Sequence, residues 1–127
     1  MDHLPSINCV TIPHHTQRYD TAGNYGESQL GWWLEISKMK DWRYEMLVLI
    51  HELTEMALTK QANVEWKQID LFDTTVGKDH PDPGTMPEAP YFEQHAQATK
   101  IERMLAKMLG VNWKKYDKSF EELKWRP

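Results

Sequence analysis

The run Met46-Leu47-Val48-Leu49-Ile50 leads straight into His51, Glu52 and Glu55, and Leu53, Met56, Ala57 and Leu58 continue it on the far side. A segment this apolar reads as a helix buried on most sides, not as a surface helix with one apolar stripe. Three ionisable groups inside it are costly to bury unless they are paired, hydrogen-bonded or bound to a metal. At about 100° per residue, His51 and Glu55 stand about 40° apart on a shared face, and Glu52 lies about 100° round from His51. One imidazole and one carboxylate at this spacing, with a second carboxylate at the shoulder, is how a helix presents two metal ligands and a general base. A buried His–Glu pair that ties two helices together satisfies the same residues. The helix alone does not separate the two.

The remaining elements follow from pattern and punctuation. Ile7–Ile12 alternates and is rich in β-branched residues, which predicts a strand ending at Pro13. The tandem His14-His15 invites a metal reading, but neighbours in a strand or loop point apart, so the pair reads as polar side chains at the surface. Thr21 to Ser28, with Gly23, Asn24 and Gly26, reads as a turn-rich connection, and Leu30 to Met39 as a second strand. Asp41 is suited to cap the central helix, expected from about Trp42 to about Ala62. Glu65 to Asp73 is ambiguous between a short helix and a loop; Asp70 and Asp73 within it read as caps or solvated acids rather than ligands. Val76 to Pro90 carries four prolines and two glycines, excludes helix and central strand, and is suited to cover the mouth of a site. His80 in this stretch reads as exposed.

Pro90 fits the first position of a further helix, Tyr91 to Leu109, with Gly110 as its left-handed cap. On its wheel His95, Thr99 and Glu102 share the apolar face of Tyr91, Phe92, Ala98, Leu105, Ala106 and Leu109, while Lys100, Arg103 and Lys107 lie elsewhere. Two helices therefore each send one His and at least one Glu from an apolar face, and the metal reading gains over a lone buried pair. The expected ligands are His51, Glu55 and His95, with Glu102 the next candidate and Glu52 the catalytic base. Asn112 to Trp125 can form a last helix packing Trp113, Tyr116, Phe120 and Leu123.

The fold class expected is α+β, a single domain over 1–127. It comprises a small antiparallel sheet region (7–40), the central helix (42–62), the proline-rich loop (76–90) and C-terminal helices (91–125). A chain of 127 residues with six Trp and seven Met can build one core without disulfides, and the lone Cys9 can form none internally. The net charge of −4 and the absence of a long basic run argue against nucleic acid as a partner. No stretch approaches the ~20 apolar residues of a membrane span, and the first residues lack the order of a signal peptide. A soluble, cytoplasmic protein is expected.

His51-Glu52-Leu53-Thr54-Glu55 resembles the His-Glu-x-x-His helix of zincin metallopeptidases, with Glu55 where the second His stands. The order strand, strand, metal-bearing helix is similar to the minimal zincin core. The resemblance implies His51 as a ligand, Glu52 as the base that activates water, and a downstream ligand at His95 or Glu102. It implies zinc, and the carboxylate at Glu55 opens the site to iron or manganese. Residues 7 to 118 also look like a group of small phage- and prophage-type proteins, through His51-Glu52-Leu53, Glu55, Asp70, Phe72-Asp73, Ala89-Pro90-Tyr91, His95, Ala98, Glu102, Leu105-Ala106, Leu109-Gly110, Trp113 and Tyr116. That likeness supplies no activity. The non-enzymatic alternative is a phage-type structural or interaction protein in which the same side chains form a structural metal site or a buried His/Glu network. Glu52-Leu53-Thr54-Glu55 faintly resembles the Glu-x-x-Glu helix of all-α nucleotide pyrophosphohydrolases, but their second acidic pair has no match on Tyr91–Leu109, and His51 and His95 suit magnesium poorly.

Overall fold

The computed structural model describes residues 3–126. Three strands, β1 (Ile7–Ile12), β2 (Gly23–Ser28) and β3 (Gly31–Ser37), form one sheet, and four helices follow: α1 (Trp42–Gln61), α2 (Trp66–Thr74), α3 (Phe92–Met108) and α4 (Trp113–Ser119). The α+β class is as expected, and no described helix is long and apolar enough to cross a membrane. The sheet departs from the all-α fold that the pyrophosphohydrolase likeness implies.

The sheet corrects the expected one. Its order is β1-β3-β2, with β2 antiparallel to β3 but β1 parallel to it, Ile7 opposite Trp32 and Ile12 opposite Ser37. The segment read as turn-rich is itself strand β2, joined to β3 by a tight hairpin at Gln29-Leu30. Its glycines mark close approach, not a turn. A Cβ on Gly23 would stand 2.7 Å from the Glu52 side chain, and one on Gly26 would stand 2.2 Å from the Trp33 ring. With β2 occupying one side of β3, the segment 13–22 carries the chain back across the sheet, and β1 is left to pair in parallel on the other side.

Asp41 caps α1 as expected, its carboxylate accepting from the Arg43 amide at 2.9 Å. Gly110 ends α3 with φ +69°, and Pro90 lies just before the Tyr91 cap rather than inside the helix. The ambiguous segment resolves as α2, started by a reciprocal Glu65–Gln68 capping box. The last expected helix is shorter, α4 continuing into a single 3-10 turn at Phe120–Glu122.

Helix α1 crosses the β2–β3 half of the sheet and packs along α3. One apolar cluster gathers Tyr25, Trp32, Leu34, Met56, Ile69, Phe72, Ala89 and Tyr91. Another gathers Ile36, Leu47, Val48, Ala106 and Tyr116. On α1, Leu47 and Val48 belong to one cluster and Met56 to the other, so His51 and Glu55 occupy the layer between them.

Candidate metal centre

The side chains in that layer converge. His51 Nε2, Glu55 Oε2 and His95 Nδ1 lie 3.1 Å (His51–Glu55), 3.1 Å (His51–His95) and 2.8 Å (His95–Glu55) apart. The two imidazoles meet edge to face, ring centroids 4.6 Å apart. His51 and Glu55 are one turn apart on α1, and α3 supplies His95 because its apolar face lies against that helix. Among the described residues this group could hold a metal ion. A tetrahedral zinc with ligand bonds of about 2.0–2.1 Å spaces its ligand atoms about 3.3 Å apart. The three atoms need to open by about half an ångström at most.

Each of the three is held from behind. His51 Nδ1 donates to Glu102 Oε1 at 2.7 Å, and the Tyr116 hydroxyl donates to Glu102 Oε2 at 2.5 Å. The Tyr25 hydroxyl donates to Glu55 Oε1 at 2.9 Å. His95 Nε2 faces Asp82 Oδ1 at 3.1 Å. A hydrogen bond on one imidazole nitrogen fixes which nitrogen presents its lone pair, and carboxylates commonly fill this role behind metal-bound histidines. Glu102, a candidate ligand from the sequence, is therefore placed differently: it sits behind His51, on the nitrogen turned away from the cluster.

Charge in the layer is tightly coupled. Burial opposes ionisation of His51, but the hydrogen bonds to Glu102 and Glu55 win and raise its pKa to about 11. His95 is likewise opposed by burial and raised to about 9 by Asp82 and Glu55. Burial pushes Glu55 up, but hydrogen bonds from both imidazoles hold it at about 2. Glu52 behaves in the opposite way: burial and the nearby Glu55 charge raise it to about 8. Both ring nitrogens face the one Glu55 oxygen, so two imidazole nitrogens and a carboxylate oxygen converge on one point.

Comparison with protein-family models, with curated proteins and with solved structures found no match.

The other sequence candidates lie outside the converging group. Glu52 leaves α1 towards β2, against Gly23, and takes no part in the hydrogen bonds that fix Glu55 and Glu102. Asp70 pairs with Arg18, and Asp73 is neither a cap nor a solvated acid: it accepts from Tyr91 at 2.5 Å and from Tyr19 at 3.3 Å. Burial raises Asp73 to about 7. His14 does not lie at the surface as expected: it is buried between Ser37 and Asp20, at 2.8 Å from each. His15 and His80 are exposed, as expected. Sequence reasoning passed over Tyr25 and Asp82 as site residues and took Tyr116 for packing alone. Tyr25 lies on the strand read as a turn, which hid its alternation towards α1. Asp82 carried one usable signal, an acid between two prolines in a loop expected to cover the site.

Proposed function

We propose that the chain is a divalent-metal-binding protein, with zinc as the ion and a zincin-like hydrolysis as the activity. The observation that carries the metal reading is the convergence of His51 Nε2, Glu55 Oε2 and His95 Nδ1, each braced by a separate hydrogen-bonding side chain. Two imidazoles and one carboxylate form a donor set that suits zinc and leaves a position for water, as catalytic sites do. Iron or manganese suits the same set less selectively. A bound divalent ion would supply Lewis-acid activation of water and of a carbonyl or phosphoryl oxygen.

The chain's own contribution is proton handling and orientation. Glu52 is next to the ligand His51 but turned towards β2, outside the ligand group, as a base that must not itself ligate requires. Its carboxyl is protonated near neutral pH when only Glu55 and the imidazoles surround it. A dication in the layer would lower that pKa and free the carboxylate to accept a proton from water. Glu102 and Tyr116 keep His51 oriented throughout.

A metal-free structural reading has its own support: every charge in the layer already has a partner, with His51 between Glu55 and Glu102 and His95 between Glu55 and Asp82. Such a network suits an interaction protein that needs only a specified helix pairing. Substituting Glu52→Gln separates the two readings. In the hydrolase the variant keeps its metal and its melting temperature and loses any cleavage of peptides, amides or phosphoesters found by a broad substrate screen. A metal-replete wild type inactive throughout that screen, with Glu52→Gln melting well below it, supports the structural reading instead.

A further inference from the structure

The proline-rich segment is built onto a candidate ligand. Its 3-10 turn, Pro83–Thr85, lies on the His95 ring so closely that a Cβ on Gly84 would fall 2.4 Å from Cγ and Nδ1. Just before the turn, Asp82 faces His95 Nε2 at 3.1 Å. The segment is fastened within itself and to α2: the Asp82 amide donates to His80 Nδ1 at 2.9 Å, the Thr85 hydroxyl to the Asp82 carbonyl at 2.7 Å, and the Gly77 amide to the Phe72 carbonyl of α2 at 2.8 Å. Glu102 braces His51 from a buried position inside α3, whereas the Asp82 side chain is 56% exposed. One imidazole is thus oriented by the core and the other by a surface loop.

We infer that residues 80–85 are a strap whose docking positions His95 for metal, with Asp82 as the positioning residue, so that metal affinity and strap closure are coupled. This rests on the metal reading above. With Asp82 accepting from Nε2–H, the His95 lone pair is fixed on Nδ1, the nitrogen that faces Glu55 and His51; without it the ring can exchange tautomers and turn. The glycine at position 84 lets backbone, rather than a side chain, cover the ring face and limit its rotation. Because binding couplings are reciprocal, the factor by which the docked strap tightens metal is the factor by which metal holds the strap down. Asp82 touches no reacting group in this scheme; it acts through His95.

The test uses the full-length, untagged chain, stripped of metal, with zinc as the probe. Zinc affinity is measured by competition with a chromophoric chelator for the wild type, Asp82→Ala and Asp82→Asn. Asp82→Ala should weaken zinc roughly 10- to 100-fold, and Asp82→Asn should recover part of the loss, because its amide oxygen still accepts from the imidazole. The metal-free variants should still melt cooperatively, lower than the wild type by no more than the loss of one half-exposed ion pair, which excludes a folding defect. Saturating zinc should also slow proteolysis after Lys78 more in the wild type than in Asp82→Ala. A wild type that binds zinc, with Asp82→Ala equal to it in affinity and in protection, overturns the coupling and leaves the metal reading standing. A wild type that binds no zinc overturns both.

Discussion

Helix α1 meets its neighbours in two ways along its length. At Leu47, Val48 and Met56 it buries apolar side chains in clusters that also take up Leu34, Ile36, Phe72 and Tyr116. Between them, at His51 and Glu55, it meets α3 through imidazoles and carboxylates, with Glu102 buried beside them. The apolar layers are what folding demands, since each buried large aliphatic side chain is worth about 1.5–3 kcal/mol. The ionic layer is not, because a buried ion-pair network seldom stabilises more than well-packed apolar residues of the same volume. A layer that folding does not require points to another use, and two imidazole nitrogens converging with a carboxylate oxygen suit a cation.

That contrast can be broken at either layer. The largest effect should come from Glu102→Ala, which strips His51 and Tyr116 of a buried partner and should cost about 3–5 kcal/mol in chemical denaturation. In the apolar layer Leu47→Ala should cost about 2–5 kcal/mol, with zinc uptake retained in whatever fraction stays folded. Replacing the ionic layer as a whole, His51→Leu, Glu55→Met, His95→Leu and Glu102→Leu together, should leave stability unchanged or raise it by about 1–4 kcal/mol while abolishing zinc binding. If the fourfold variant fails to fold, the ionic layer is architecture and the distinction collapses.

The pH dependence of the metal-free protein sharpens the contrast at smaller amplitude. Glu55, lowered from 4.5 to about 2, adds stability that is present above 4.5 and lost as pH falls towards 2. His51 and His95, raised from 6.5 to about 11 and about 9, add stability that is full below 6.5 and lost as pH rises through those values. Glu52, raised from 4.5 to about 8, works in the same direction, because the folded state keeps a proton that the unfolded state has released. The metal-free chain should therefore melt highest near pH 5 and progressively lower from pH 6 to 9. Zinc displaces protons from the imidazoles, so its stabilising increment should grow over that same range. A thermal melt series with and without chelator reads both slopes, and parallel curves would contradict the account. The smallest effect belongs to the surface: Lys60→Ala, which removes the exposed pair with Glu27, should move stability by less than ~1 kcal/mol and leave zinc binding untouched.

What could be read from the sequence was local. Strand β1 and helices α1 and α3 announce themselves by periodicity and by Asp41 and Gly110 at their ends. The facing of His51 and His95 followed from two helices that each carry a His and a Glu on an apolar face, buried against each other. What escaped depends on contacts between distant segments. Gly23 and Gly26 look like turn residues until Glu52 and the Trp33 and Trp66 rings are seen pressed against them. The parallel pairing of β1 was hidden for the same reason, because it follows only once β2 has taken the other side of β3. Glu102 lies on the correct face of α3, yet no wheel could tell a ligand from the group behind one; that depends on which ring nitrogen it meets.

The most direct test is a zinc titration of the untagged, metal-stripped chain, followed calorimetrically in two buffers of different ionisation enthalpy. It should give one zinc per chain with release of protons, and His51→Ala and His95→Ala should each abolish the binding. A folded wild type that takes up no zinc, or zinc binding that survives both substitutions, would contradict the central claim.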